Sequence, residues 1–197
     1  MNRTNDPATP TVIATGDVER RPWRNGLGST RELATGSTGW RLSLADITTA
    51  CAFSRFPGLW RWSTAVAGPS VEMVIGDRDA ITVADDVVVD YDGEAPATAR
   101  PTSGGVTHLL NLMAPMGTPA RLTRARLDGP IPVTADTVAV FVLDGTLLAG
   151  HQQATAGHQQ ATAGQLMLLG NHDGLTLTGH DARCVIVEVP GSRISRR

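Results

Sequence analysis

The sequence predicts an all-β protein, built as a barrel or a sandwich of short strands with little helix. No stretch of about 12 residues or more shows the apolar period of an amphipathic helix. Short runs rich in β-branched and other apolar residues recur instead. Glycine, proline and aspartate separate these runs, as they do in the turns between strands.

Fourteen of these runs qualify as strands. Many short strands at such spacing are typical of barrels and sandwiches. The runs cover residues 11–17, 29–34, 40–47, 61–66, 70–75, 79–84, 87–91, 98–101, 107–113, 120–126, 139–148, 165–169, 175–179 and 183–189.

The composition describes a globular protein and excludes several classes of function. Hydrophobic residues make up 41% of the 197 residues, and the formal net charge is -2. A general nucleic-acid binder needs a basic field that neutralises phosphates, so this class is excluded. No apolar run reaches the roughly 18–20 residues of a membrane span, and no export signal opens the chain. We therefore expect a cytoplasmic protein with no nucleic-acid or membrane partner.

The two cysteines, Cys51 and Cys184, lie far apart in the sequence and match no metal-binding spacing. A cytoplasmic compartment keeps thiols reduced, so disulfides are rare there. We therefore expect two buried free thiols in preference to a disulfide.

A heptapeptide, HQQATAG, occurs twice in succession, at residues 151–157 and 158–164. Two copies are too few for a solenoid, which needs about three or more repeats to bury a core. Strands are predicted on both sides, so we interpret the duplication as a lengthened hairpin loop, whose entropic cost is small. The sequence does not indicate its purpose.

Residues 23–32, WRNGLGSTRE, form the segment that most clearly predicts a site. Its glycines let a ligand approach the backbone closely, and polar side chains surround them. Residues 40–45, WRLSLA, alternate, so Trp40, Leu42 and Leu44 face a core. Arg41 and Ser43 then face either solvent or a polar cavity, and the nearby polar segment favours the cavity.

Residues 53–58, FSRFPG, form a loop with two of the three phenylalanines. Its aromatic rings either close a small apolar core or line a pocket. Arg61 follows, and an arginine presents a planar fork of donors that suits a carboxylate. Arg41 and Arg61 together favour a small anionic ligand. Alternatively, each pairs with an acidic residue of the chain itself, the candidates being Glu32, Asp46 and Glu72.

Metal and nucleophile chemistry have little support in the sequence. No His-x-His pair occurs, and zinc or iron in a β-barrel usually needs a strand-borne cluster of ligands. His108 is more simply read as structural. There is no Gly-x-Ser-x-Gly elbow, no activating context for a cysteine and no phosphate-binding glycine loop. We therefore predict no metal and no cofactor.

Three motifs, WRNGLGSTRE at 23–32, WRLSLA at 40–45 and FSRFPG at 53–58, stand in an order and at a spacing that resemble the HutD/Ves family. DGEAP at 92–96 and NLM at 111–113 agree with it. The resemblance runs from about residue 12 to 189 and implies a two-cupin (bicupin) β-barrel. The chain departs from the family pattern at Leu27, which replaces a frequent glycine, at Leu109, which replaces a frequent acid, and in LWR at 59–61.

The sequence, together with the two-cupin fold that the resemblance implies, predicts a domain plan. We expect residues 1–10 to form a disordered tail, 11–129 an N-terminal cupin-like unit, 130–190 a C-terminal cupin-like unit that completes the bicupin, and 191–197 a mobile tail. The proline pair at 130 and 132 marks the passage between the units. Exposed sheet edges make a homodimer a reasonable expectation.

The family implies a role in histidine utilisation and a ligand such as urocanate or formylglutamate. Our first hypothesis is a metal-free cupin that binds a small anionic metabolite and modulates this pathway. The residues expected to bind it are Trp23, Asn25, Thr30, Glu32, Arg41, Ser43, Phe56, Arg61 and Asn111.

Two further hypotheses stay open at the level of the sequence. The first is a metal-independent isomerase or hydrolase that acts on a similar acid, with Glu32 as the general acid or base. The second is a structural or interaction protein whose pocket is vestigial. The sequence therefore leaves open whether the protein is an enzyme.

Overall fold

The computed structural model describes residues 9–23, 26–151, 158–169 and 174–194. In these residues the fold is all-β, as predicted, with a 3₁₀ turn at Thr15–Asp17 and no α-helix. No helix in this part of the chain is long and apolar enough to cross a membrane. The strands are β1 (Thr11–Ala14), β2 (Arg21–Pro22), β3 (Gly28–Thr35), β4 (Arg41–Ile47), β5 (Cys51–Ala52), β6 (Leu59–Ala67), β7 (Val71–Ile75), β8 (Ile81–Val83), β9 (Val89–Asp92), β10 (Ala97–Pro101), β11 (Thr107–Pro115), β12 (Arg121–Pro132), β13 (Thr137–His151), β14 (Gln159–Thr162), β15 (Gln165–Leu168) and β16 (Leu175–Glu188).

The described strands form three antiparallel sheets. The cavity sheet has the order β2-β3-β4-β11-β6-β9, and the cover sheet has the order β5-β10-β7-β8. The C-terminal sheet has the order β1-β15-β13-β16-β12, with β14 paired to β13. Most strand pairs join segments that are distant in the sequence, so tertiary packing fixes the register.

One face of the cavity sheet packs against the C-terminal sheet. Trp40, which immediately precedes β4, and Leu42 and Leu44 of β4 are buried there in one cluster with Val185 and Val187 of β16. This is the apolar face that the alternation in residues 40–45 predicts. Burying such side chains stabilises the fold by about 1.5–3 kcal/mol each.

The other face of the cavity sheet turns toward the cover sheet. Leu109 of β11 and Tyr91 of β9 are buried in a second cluster with Met73 of β7. The C-terminal sheet has its own cluster on its remaining face, which includes Leu147 and Leu177. The space between the cavity sheet and the cover sheet is therefore partly core and partly free for a site.

The runs predicted at 175–179 and 183–189 are one strand, β16. Its pairing with β13 shifts register between Asp144 and Thr146, and Asp181 adopts a positive φ of 49°. A Cβ on Gly145 would lie 2.3 Å from the Asp181 carbonyl oxygen, so this bulge requires glycine. The polar residues between the two runs predicted a turn, and the structure accommodates them as a β-bulge.

Three short strands, β2, β5 and β14, were not predicted. The first two have only two residues each, too few to show a period of two. The third lies in the second copy of the repeat, so the interpretation of that copy as loop is wrong. It pairs with β13 and buries Ala161 completely, which an exposed loop would not do. Residues 152–157 of the first copy lie outside the described residues.

The sheets divide the chain differently from the predicted segments. The boundary expected at residues 129–130 falls within β12, and β1 pairs with β15 of the C-terminal sheet. Near the C-terminus, Trp40 donates a hydrogen bond from its indole nitrogen to Ser192 Oγ, and Ile194 forms a β-bridge with Gly36. These contacts attach residues 192–194 to the turn between β3 and β4. The bicupin division itself stays a prediction.

Candidate ligand-binding site

A cavity of about 280 Å³ lies against the face of the cavity sheet that turns toward the cover sheet. Strands β3, β4, β6 and β11 form its floor, and the segments before β3 and after β5 form its sides. The residues that line it are Arg21, Pro22, Trp23, Thr30, Glu32, Arg41, Ser43, Ala45, Phe53, Ser54, Phe56, Arg61, Asn111 and Met113.

A row of side chains across four strands brings the two predicted arginines together. The register pairs Arg41 with Met113, Met113 with Arg61, and Arg61 with Tyr91. Directly paired residues share a face of the sheet, so both guanidinium groups point into the same cavity. The polar face predicted for β4 is therefore a cavity wall and not a solvent face.

Arg61 is the most deeply buried charge in this row, with only 4% of its surface exposed. Its Nη1 donates to the Ser54 carbonyl oxygen at 3.4 Å, and its Nε has no hydrogen-bond partner in the described residues. The guanidinium lies over three rings, with Cζ 5.1 Å from the centroids of Phe53 and Tyr91 and 5.5 Å from that of Phe56. Aromatic faces attract the cation but are only weak acceptors for its N–H groups.

Arg41 stands nearer the opening. Its Nη1 lies 4.0 Å from Glu32 Oε2, its Nη2 donates to Met113 Sδ at 3.4 Å, and its Cζ lies 5.3 Å from the Phe56 centroid. Burial lowers the pKa of the Arg41 guanidinium. Burial also lowers the pKa of Arg61, which Tyr91 partly offsets and the charge of Arg41 reinforces. Both groups stay protonated, because arginine ionises far above neutral pH.

A second row lies beside the first and is uncharged over most of its length. The register aligns Glu32 with Ser43, Ser43 with Asn111, and Asn111 with Ser63. Ser63 Oγ donates to Asn111 Oδ1 at 2.7 Å, and Asn111 Nδ2 donates to the Leu109 carbonyl oxygen at 3.0 Å. These bonds fix the orientation of the Asn111 amide at the cavity floor.

Residues 21–23 line one side of the cavity, and we call residues 20–23 and 26–28 together the wall segment. Its strand β2 pairs with β3, and the Trp23 amide donates to the Gly28 carbonyl oxygen at 2.9 Å. Trp23 Nε1 donates to Thr30 Oγ1 at 2.7 Å, and the indole meets the Phe53 ring edge-on at 5.8 Å. These contacts hold the indole at the edge of the cavity.

Comparison with known proteins shows which family the chain belongs to. The HutD family model matches residues 15–187. The chain belongs to the HutD family. A Pseudomonas putida relative, described as an uncharacterized 21.2 kDa protein in the hutC 3′ region, is 28% identical over 176 residues, which cover 86% of this chain and 87% of the relative. Protein Ves of Citrobacter koseri is 31% identical over 156 residues, which cover 71% and 78% of the two chains.

Solved structures agree with the HutD assignment. HutD from Pseudomonas fluorescens SBW25, in a formate condition, superposes with a TM-score of 0.72 and 25% identity over 91% of this chain and 97% of that protein. A cupin 2 conserved barrel domain protein from Leptotrichia buccalis has a TM-score of 0.61 and 10% identity over 94% and 98% of the two chains. The HutD/Ves resemblance and the cupin-like all-β fold are confirmed.

In this HutD-family chain, eight of the nine residues predicted to bind a ligand line the cavity. Asn25 is the ninth, and it lies outside the described residues. The cavity brings the eight together from four strands and two loops. Whether they bind a ligand stays a prediction.

The acids that offered alternative partners to the arginines are mostly occupied elsewhere. Asp46 pairs with Arg31 at 2.7 Å, and Glu72 pairs with Arg100. Glu32 alone approaches the arginine pair, at 4.0 Å from Arg41. In the part of the chain that the structure describes, no carboxylate forms an ion pair with Arg61.

The sequence missed several residues of the site. Met113 was missed, although it shares the period-two alternation of Asn111. Tyr91 was missed because only the pairing of β6 with β9 brings it beside Arg61. Pro22 and Ser54 were within or beside quoted motifs, but nothing in the sequence shows that their segments approach the floor.

The donor set of the cavity does not resemble a metal centre. Its lining contains one carboxylate, from Glu32, and no histidine or cysteine. Across the described residues, no group of three or more His, Cys, Asp or Glu side chains is placed to hold a metal ion. His108 lies outside the lining and hydrogen-bonds through Nδ1 to Asp46 Oδ1 at 2.7 Å.

Proposed function

We propose that the cavity binds a small carboxylate metabolite without a metal ion, and that this binding modulates histidine utilisation. The observation that carries the proposal is Arg61, whose buried guanidinium has an unsatisfied Nε and no carboxylate partner in the described residues. An unpaired buried charge destabilises a protein unless something compensates it. A ligand carboxylate would supply both the counter-charge and the missing acceptor.

The dimensions of the cavity favour a small ligand. Its volume of about 280 Å³ lies just below the range of about 300–1,000 Å³ that is common for ligand sites. Phe56 and Trp23 offer apolar contact to a ring or short chain, while Asn111 and Ser43 offer hydrogen bonds. Urocanate and formylglutamate match this combination of carboxylate, small size and a second polar group.

The link to histidine utilisation comes from the family. The Pseudomonas putida relative is described by its position in the hutC 3′ region, within the histidine-utilisation region. A protein that binds an intermediate of that pathway is suited to report its concentration. We therefore favour binding and modulation over a purely structural role.

Isothermal titration calorimetry of the whole chain with sodium urocanate, and separately with formylglutamate, tests the proposal. We expect saturable binding of at least one acid, with a carboxamide analogue of the same acid binding at least about tenfold more weakly because it lacks the charge. The variant Arg61→Met should lose this binding. Its matched control is Arg124→Met, since Arg124 is a half-buried arginine outside the cavity that donates to Thr64 and Ala65. Absence of binding by both acids to the wild-type chain would refute the proposal.

One observation favours a second candidate function. Glu32 is a carboxylate in the cavity lining, with 20% of its side chain exposed, beside the site proposed for the ligand. It is thus placed to act as the general acid or base of a metal-independent isomerase or hydrolase. Turnover of the bound acid that Glu32→Gln abolishes, with ligand affinity retained, would establish this function; bound acid that stays chemically unchanged would exclude it.

A further inference from the structure

Asp46 lies on β4 next to cavity-lining Ala45 but points to the opposite face of the sheet. Its side chain is 7% exposed. Its Oδ1 accepts a hydrogen bond from Arg31 Nη1 at 2.7 Å and contacts His108 Nδ1 at 2.7 Å. One carboxylate oxygen therefore links three adjacent strands, β3, β4 and β11, directly behind the cavity.

The second oxygen of Asp46 reaches the wall segment. Its Oδ2 accepts from Ser29 Oγ at 3.2 Å and lies 3.4 Å from Arg20 Nε. Arg20 immediately precedes β2, the two-residue edge strand whose residues are both exposed. Since so short a strand has few backbone bonds, the Arg20 contact adds to what holds this segment, although the Arg20 side chain is 62% exposed.

The backbone of Asp46 also supports the wall. A Cβ on Gly28 would lie 2.8 Å from the Asp46 carbonyl oxygen and 3.0 Å from two atoms of the Trp23 ring. The indole of Trp23 therefore packs on Gly28, and Gly28 packs on Asp46. Asp46 thus contacts the wall segment at two points, with its side chain at Arg20 and with its backbone at Gly28.

We propose that Asp46 is a positioning residue that fixes the wall segment and sets the place of Trp23 at the cavity. The consequence for a ligand rests on the function proposed above, whereas the effect on Trp23 can be measured without any ligand. Asp46 itself is not among the residues that line the cavity, and it acts through Arg20, Gly28 and Trp23.

Solution NMR of the whole chain measures this effect through the indole N–H groups. The resonance of Trp23 is assigned by its loss in Trp23→Phe, and its solvent exchange is followed in Asp46→Asn and Arg20→Ala. Trp40, whose indole donates to Ser192, serves as internal reference. Asp90→Asn is the matched control, because Asp90 accepts the Trp60 indole N–H at 3.0 Å on an exposed surface.

We expect the Trp23 indole to exchange about tenfold faster in Asp46→Asn, because local opening governs exchange, while Trp40 changes little. Arg20→Ala should shift Trp23 in the same direction with an unchanged unfolding midpoint, which keeps the test valid if Asp46→Asn folds poorly. Asp90→Asn should leave Trp23 unchanged. Equal acceleration at Trp23 and Trp40 in both variants, or none at Trp23, would overturn the inference.

Calorimetry with urocanate tests the consequence for the ligand. If the wall is correctly placed in about a tenth of Asp46→Asn molecules, the apparent affinity falls about tenfold. Faster Trp23 exchange with unchanged urocanate affinity would overturn the role of Asp46 in binding. Failure of the wild-type chain to bind would refute the proposed function, while the indole measurement would still decide whether Asp46 positions the wall.

Discussion

The guanidinium carbon of Arg61 lies 5.1 Å from the centroid of the Tyr91 ring, which is its direct cross-strand neighbour. Burial raises the pKa of Tyr91, while the charge of Arg61 lowers it in part. Tyr91 is therefore a neutral phenol at physiological pH. It stabilises the cation through its ring without neutralising it, so the positive charge stays available for a ligand.

Replacing Arg61 with methionine should leave the free energy of unfolding unchanged or raise it by about 1–2 kcal/mol, because an uncompensated buried charge is removed. Arg124→Met should instead lower it by about 1–3 kcal/mol, because buried acceptors lose a donor. Urea denaturation without ligand measures both. A large loss of stability in Arg61→Met would show that the arginine is structural.

Gly28→Ala should displace the Trp23 indole, because the added methyl group would lie 2.8 Å from the Asp46 carbonyl oxygen and 3.0 Å from the ring. Overpacking of this kind lowers stability by about 1–3 kcal/mol. Near-ultraviolet circular dichroism and thermal unfolding measure the two effects. Gly16→Ala is the matched control, since a Cβ there meets nothing within 4 Å; equal effects in both variants would contradict this account.

The stability that Asp46 contributes should depend on pH. Burial alone would raise the pKa of Asp46, but hydrogen bonds from Arg31 and His108 outweigh it and lower the pKa below its ordinary value. A group with a depressed pKa stabilises the fold above its unfolded value of about 3.9 and loses this contribution as pH falls further. The stability difference between wild type and Asp46→Asn should therefore be fully present above about pH 5 and shrink below about pH 4. A difference that grows on acidification would contradict the arrangement.

Cys51 and Cys184 should resist thiol reagents in the native state. Both are free and buried, and burial raises the pKa of each thiol to about 11. The reactive thiolate is therefore scarce at pH 8. Ellman's reagent should react slowly with the native protein. After denaturation it should react readily with both thiols. Rapid native reaction of either cysteine would show that its environment opens readily.

The alternation in residues 40–45 predicted both the core face and the cavity face of β4, because side chains alternate strictly along a strand. The same signal could not reveal Tyr91, since its place beside Arg61 depends on a register that the sequence does not encode locally. The pair of Arg31 and Asp46 was missed for the same reason. The part of the site that depends on alternation within one strand was therefore predicted, whereas the contacts that depend on long-range strand pairing were not.

The loop motifs illustrate the same division. The composition of residues 23–32 predicted a ligand wall, and Trp23, Thr30 and Glu32 do line the cavity. The bulge around Asp181 was predicted as a turn, because glycine and aspartate occur in both. Only the continued pairing of β16 with β13 on both sides of Asp181 distinguishes a bulge from a turn.

The most direct test of the central claim compares urocanate and formylglutamate binding to the wild-type chain and to Arg61→Met by calorimetry at low and moderate salt. We predict saturable binding to wild type and at least about a thirtyfold loss in Arg61→Met, since removing one partner of a buried charged hydrogen-bonded pair costs about 2–5 kcal/mol. Wild-type affinity retained in a folded Arg61→Met protein would contradict the claim.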